Sequence, residues 1–171
     1  AIMPVHMLGE SCDIKKICQI GRRYNIPIIE DNCEALGGSF EGKMLGNWGE
    51  LGTYSFDFGK IITSGEGGLI TGNKDMILNA YELHDHGHTK NALNRASELP
   101  RVKGLNFRYS ELQAAVLLAQ VSKFKKILNE NKLRYDILAN NLMNFKRPMY
   151  EKCIPSYDTF MIRTDKKTEQ I

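Results

Sequence analysis

The chain has 171 residues, 42% of them hydrophobic and 25% charged, proportions that exclude disorder as its main state. Its 23 basic and 20 acidic residues leave a formal charge of +3, too small and too scattered to point to a nucleic-acid partner. No apolar run approaches the roughly twenty residues of a membrane-spanning helix, and the length suits one domain, or one domain with part of another.

The opening residues, Ala1-Ile-Met-Pro-Val-His-Met7, carry neither the basic start nor the cleavage pattern of a signal peptide. The cysteines Cys12, Cys18, Cys33 and Cys153 form no C-x-x-C pair, so reduced thiols in a cytoplasmic protein are expected. From Cys12 to Tyr24, Ile14, Ile17, Cys18 and Gly21 recur at helical spacing, with Ser11 or Asp13 as the cap. Asn25-Ile-Pro27 ends that helix, and Ile26 to Ile29 reads as a short apolar strand running into Glu30-Asp31. Carboxylates at a strand's carboxyl end occupy the usual ligand address of an open α/β sheet. Asp31 there suits metal binding, general-base work or pairing with a protonated ring nitrogen; a helix cap or turn acid is the plain structural alternative.

A Gly-rich section from Gly37 to Gly52 carries several turn signals. Strands are expected at Gly52–Phe56 and Gly68–Thr71, with Lys60 between them. A lysine in apolar surroundings has a lowered pKa and an amine available for Schiff-base chemistry, although most loop lysines are solvated charges. Gly65, Gly67 and Gly68 could bring amides to an anion. They lack the Gly-Lys-Ser/Thr of a phosphate loop, however, and a tight turn is the simpler reading.

Asp75 to His84 reads as a helix, followed by a polar loop to Pro100. His84, His86 and His88 alternate around Asp85 without a metal-ligand spacing, and no metal site is expected. From Ser110 an apolar stripe of Leu112, Ala115, Val116, Ala119, Phe124, Ile127 and Leu128 predicts a long helix to about Phe145, suited to connecting two domains. Thr159 to Ile162 reads as a strand of a second domain, and Lys166 to Ile171 as the first turn of a helix, so the chain reads as an internal fragment.

Taken in order, these pieces carry a resemblance. Glu30-Asp31-Asn-Cys-Glu34-Ala-Leu-Gly37, Tyr54-Ser55-Phe56, Lys60 and Gly65-Glu-Gly-Gly68 resemble the sugar aminotransferases of the DegT/DnrJ/EryC1/StrS family. Pro4-Val-His6-Met-Leu-Gly9 and Gly104-Leu-Asn106-Phe-Arg108-Tyr-Ser-Glu111-Leu-Gln-Ala-Ala resemble it too. The resemblance implies a pyridoxal 5'-phosphate enzyme of the aspartate-aminotransferase fold, type I, whose large domain is a three-layer α/β/α sandwich with a mainly parallel sheet. Residues 1–120 would belong to that domain, 121–147 to a long connecting helix and 148–171 to the beginning of a small C-terminal α/β domain.

By the same resemblance, Lys60 matches the Schiff-base lysine that also shuttles the proton, and Asp31 the acid facing the pyridine nitrogen. Glu34 matches a position near the cofactor's phenolic oxygen, and Ser55 a phosphate-binding hydroxyl. Asn106 matches an asparagine that reaches the phosphate in the neighbouring subunit, which implies a homodimer with shared sites. The implied reaction moves an amine from glutamate to a keto- or aldehydo-sugar, nucleotide-linked or of the 8-oxo-3-deoxy-octulosonate type, for lipopolysaccharide, cell-surface or secondary-metabolite amino sugars. Sugar dehydratases of this fold carry His in place of the lysine, so Lys60 favours transamination over a pyridoxamine-dependent dehydratase; a non-catalytic regulator is the third alternative. Asp158 stands where many members show His and, with Tyr54–Phe58 and His84-Asp-His-Gly87, points to the octulosonate branch. The remaining cofactor-binding segments are expected upstream of Ala1, and most of the small domain beyond Ile171.

Overall fold

A computed structural model describes residues 1–89, 99–142 and 150–162. Helix α1 spans Ile14–Tyr24. Of the two candidate caps, Asp13 performs the role, accepting from the Lys16 amide at 3.4 Å, whereas the Ser11 hydroxyl donates to the Cys12 carbonyl at 2.6 Å. The helix ends at Asn25 in the left-handed region, whose N–H reaches back to the Gly21 and Arg22 carbonyls. Its buried face is Ile14, Cys18 and Gly21. Gly21 is required by close approach: a Cβ there would lie 2.7 Å from Ile28 Cδ1 and 2.8 Å from the Ile26 carbonyl.

Strand β1 spans Ile29–Asp31, slightly later than the apolar run suggests. The Ile26 amide is still tied to the Gly21 carbonyl at 2.9 Å, so the chain is turning there and cannot yet join a sheet. Residues Ile2 to His6 run parallel beside β1, bridging Ile2 to Ile28 and Val5 to Asp31. On the other side lies β4, Leu51–Ser55, parallel to β1 with Asp31 opposite Thr53. Strand β5, Gly68–Gly72, pairs antiparallel to β4 with Ser55 opposite Gly68. The order β1-β4-β5 therefore places the turn that carries Lys60 between two adjacent strands.

A second sheet was not foreseen from the sequence. Strands β2 (Ser39–Phe40) and β3 (Lys43–Met44) form a hairpin across Glu41-Gly42, both at positive φ, as a tight two-residue turn demands. Strand β6, Cys153–Ile154, returns from the far end of the chain to pair with β2. Strands of two residues are too short to show a period, so only the tertiary pairing defines them. This sheet closes over a core of Ile14, Cys18, Ile28, Ala35, Phe40, Leu45 and Cys153, against which Ile2 and Trp48 also pack.

Helix α2 spans Lys74–His84 and is capped by the Asn73 side chain, which accepts from the Asp75 amide at 2.9 Å. Helix α3, Glu111–Asn141, is opened by a reciprocal capping box between Ser110 and Gln113. Its predicted stripe is only partly covered. Phe124 and Leu128 pack on Gly37, where a Cβ would come within 2.8 Å of the Phe124 ring, whereas Leu112 and Val116 are exposed. Towards its end Tyr135 is buried between Tyr157 and Phe160, at ring distances of 5.4 Å and 5.0 Å. The helix ends at Asn141, with Leu142 already outside it, short of the expected reach to Phe145. The break at Pro148 and the terminal turn at 166–171 lie outside the described residues. No helix among the described residues is long and apolar enough to cross a membrane.

Candidate active site

Strand alternation sorts the conspicuous side chains onto two faces. Glu30, Asn32 and Tyr54 share one face: all three bond to the Leu45–Gly49 loop, Asn32 and Tyr54 both donating to the Leu45 carbonyl. Asp31 and its register partner Thr53 share the other face, with Ser55 two residues on. Asp31 Oδ1 accepts from the Cys33 amide at 3.1 Å, an Asx turn that bends the chain away from the sheet and towards Glu34. The Cys33 thiol is pushed up to about 11, first by burial and then by the Asp31 carboxylate beside it.

The Lys60 turn is held at both ends. The Phe56 amide donates to the Gly67 carbonyl at 2.8 Å, and the Ser64 amide to the Phe56 carbonyl at 3.0 Å. Phe56 and Ile62 are buried anchors on either side of the lysine. Ser55 Oγ accepts from the Asp57 amide at 3.2 Å, and the Asp57 carbonyl accepts from the Lys60 amide at 3.1 Å. The lysine side chain is 21% exposed, and its Nζ stands 3.9 Å from Glu34 Oε1. The other Glu34 oxygen accepts from the Leu8 amide at 2.8 Å.

Two neighbours of this cluster were not singled out as site residues from the sequence. Ser156 is fully buried; its amide donates to the Gly9 carbonyl at 3.0 Å and its hydroxyl to the Glu34 carbonyl at 3.2 Å. The segment after α3 is thereby clamped to Glu34 across 122 positions of sequence, a contact that no local pattern signals. Two residues on, the Asp158 carboxyl is raised above its ordinary range by desolvation, although the residue as a whole is exposed; the Lys60 charge opposes that rise and Glu34 adds to it.

Four of the five predicted site residues thus gather around the ends of β1 and β4: Asp31, Glu34, Ser55 and Lys60. Asn106 joins a different set of contacts. It is exposed, bridges to Asp85, and its Oδ1 accepts from Arg108 Nε at 3.1 Å, while Arg108 Nε also lies 3.6 Å from the buried Asp85 carboxylate. The segment that follows reaches the Lys60 turn from outside: Tyr109 bonds the Ser64 hydroxyl, and Gln113 Nε2 donates to the Glu66 carbonyl at 3.2 Å.

The model of the DegT/DnrJ/EryC1/StrS aminotransferase family matches residues 1–170. The chain belongs to this family. Among its relatives, the GDP-perosamine synthase of Caulobacter vibrioides is 43% identical over 123 residues, 72% of this chain and 32% of that protein. The GDP-perosamine synthase of Escherichia coli O157:H7 is 35% identical over 142 residues, 83% of this chain and 38% of that protein. Among solved structures, an aminotransferase from Psychrobacter cryohalolentis superposes with a TM-score of 0.78 at 25% identity, covering 92% of this chain and 45% of that one. The chain therefore spans less than half the length of the family members it matches. This is an α/β chain of the type I fold of pyridoxal-phosphate-dependent transferases, whose described strands are mixed in direction: β1 and β4 run parallel, whereas β5 is antiparallel to β4.

Proposed function

We propose that this chain carries the catalytic lysine and part of the cofactor cradle of a pyridoxal-phosphate-dependent sugar aminotransferase. The observation that supports this reading best is the placement of Lys60. Its amine lies 3.9 Å from Glu34, in the turn that follows β4, while Asp31 and Ser55 stand at the ends of the strands beside it. These side chains fit pyridoxal phosphate by their chemistry: an amine for its aldehyde, a carboxylate for its ring nitrogen and a hydroxyl for its phosphate. When bound, that group supplies an electron sink for the substrate carbon.

The residues then have separate tasks. Lys60 would hold the cofactor through its aldehyde, and its Nζ, once freed by the amino donor, would carry the proton to and from the substrate carbon. Asp31 keeps a proton on the ring nitrogen, which it can do because its own backbone is fixed in β1. Ser55 would donate its hydroxyl to the phosphate, and Glu34, beside Lys60, would serve the phenolic oxygen. Asn106, exposed and braced by Arg108, serves the phosphate of a second copy, which makes the enzyme a homodimer with shared sites. In this reading residues 1–120 are part of the large domain, and segments 121–147 and 148–171 are the connector and the beginning of the small domain.

Glutamate is the amino donor in this reading, and a keto- or aldehydo-sugar the acceptor, in a cytoplasmic enzyme of amino-sugar biosynthesis. The named relatives make a nucleotide-linked keto-sugar the first acceptor to try, with 8-oxo-3-deoxy-octulosonate the second. The test supplies ¹⁵N-glutamate and each acceptor to the complete protein and follows the label into sugar by mass spectrometry. Labelled amino sugar supports the reading, and Lys60→Ala abolishes it. A deoxygenated sugar without nitrogen would instead mark a dehydratase, and undiminished amination by Lys60→Ala would remove Lys60 from its role.

A further inference from the structure

Glu30 and Asp31 are consecutive acids, yet only Asp31 has been given a task. Glu30 is fully buried, and so is His6, whose Nε2 lies 3.1 Å from Glu30 Oε2. The same carboxylate accepts from the Gly46 amide at 2.8 Å, from the Gly49 amide at 2.7 Å and from the Trp48 amide. Four donors fill the acceptor positions of one carboxylate, so Glu30 has no capacity left for a ligand. Burial opposes its ionisation, but the His6 hydrogen bond and the Gly49 and Gly46 amides outweigh it and hold the carboxyl below the ordinary glutamate range.

His6 is as fully engaged. Its Nδ1 accepts from the Cys12 amide at 3.3 Å, which assigns the ring proton to Nε2, facing Glu30. Its main chain does something different from its side chain. The His6 amide donates to the Asp31 carbonyl at 3.0 Å, and the Asp31 amide donates to the Pro4 carbonyl at 2.9 Å. The peptide groups on both sides of Asp31 are thus held by the strip Pro4–His6, and that strip is pinned to β1 by the ring of His6 on Glu30.

We propose that His6 and Glu30 are positioning residues for Asp31: their buried hydrogen bond locks the strip Pro4–His6 onto β1 and so fixes the carboxylate that faces the cofactor's ring nitrogen. This rests on the assignment of Asp31 made above. Loss of a group that orients a binding residue lowers activity on the order of 10- to 100-fold, because a misplaced partner no longer meets the reacting geometry.

The test uses the complete protein loaded with pyridoxal phosphate carrying ¹⁵N in its ring, whose NMR shift reports protonation of that nitrogen. Asp31→Ala moves the shift towards the unprotonated value. If it does not, the assignment of Asp31 falls, and the inference with it. Given that control, His6→Leu and Glu30→Gln each move the shift part of the way and weaken cofactor binding, while His6→Gln, which can still donate to Glu30, restores both. A wild-type shift in His6→Leu and Glu30→Gln overturns the positioning role while leaving Asp31 in its place. If these variants do not fold, amide exchange in the unaltered holoenzyme decides: His6 and Asp31 amides protected like that of Ile29 support the lock, and exchange as fast as an exposed turn overturns it.

Discussion

Lys60 Nζ stands 3.9 Å from Glu34 Oε1, joining the turn after β4 to the turn after β1 through one partly exposed ion pair. Such a pair contributes little to stability, in the range of about 0–1 kcal/mol once solvent screens it. Glu34→Gln removes the charge but keeps an acceptor for the Leu8 amide, so its urea midpoint stays close to wild type. Glu34→Ala also strands that amide and costs about 1 kcal/mol more. Equal losses in the two variants would place the stabilisation in the ion pair.

The buried Glu30 makes stability depend on acid. Its pKa is depressed in the folded chain, so between the ordinary value of 4.5 and the lower folded value the unfolded state binds more protons. Stability contributed by Glu30 is full above that ordinary value and is lost as pH falls through the folded one. Urea midpoints measured downwards from about pH 6 therefore fall more steeply for wild type than for Glu30→Gln.

Cys33 reports on Asp31. With its thiol raised from 9.0 to about 11 by burial and then by Asp31, its thiolate at pH 8 is depleted on the order of 100-fold relative to an unperturbed thiol. Alkylation followed by mass spectrometry finds Cys33 slow. Asp31→Asn removes the carboxylate's share and accelerates Cys33, while Cys12, raised to about 11 by burial and then by Glu30, stays slow. No acceleration at Cys33 would separate the two side chains.

Gly52 lies opposite Glu30 in β4 and admits no side chain, since a Cβ would sit 2.1 Å from the Gly46 carbonyl oxygen. Gly52→Ala pushes the Gly46–Gly49 loop off the Glu30 carboxylate and destabilises the chain by about 1–3 kcal/mol or more, read by chemical denaturation. A neutral result would mean that the loop yields freely.

Ser55→Ala removes the acceptor that binds the Asp57 amide at 3.2 Å at the entry to the Lys60 turn, together with the hydroxyl proposed for phosphate. Cofactor affinity, titrated by visible absorbance in the complete protein, falls roughly 10-fold for a charge-assisted hydrogen bond of about 1.5 kcal/mol. Thermal stability moves by about 1 kcal/mol at most, the size of one lost neutral hydrogen bond.

Local chemistry was legible where a residue's role depends on its neighbours along the chain. Asn25 after Tyr24, Ser110 before the α3 stripe, and the acids closing the Ile26–Ile29 run each mark an end, because caps and turns are satisfied within a few residues. The order of motifs around Lys60 carried the family for the same reason. Pairings across the chain were hidden. Sequence adjacency makes Glu30 and Asp31 look like a single acidic site. Only the alternation of a placed strand sends Glu30 to a buried ring of donors and Asp31 to the opposite face. His6 on Glu30, Ser156 on Glu34 and β6 on β2 span 24, 122 and over a hundred positions, and each is fixed by satisfying buried polar groups. The sequence by itself determined which residues can do chemistry; tertiary structure decided which of them are spent on holding the others in place.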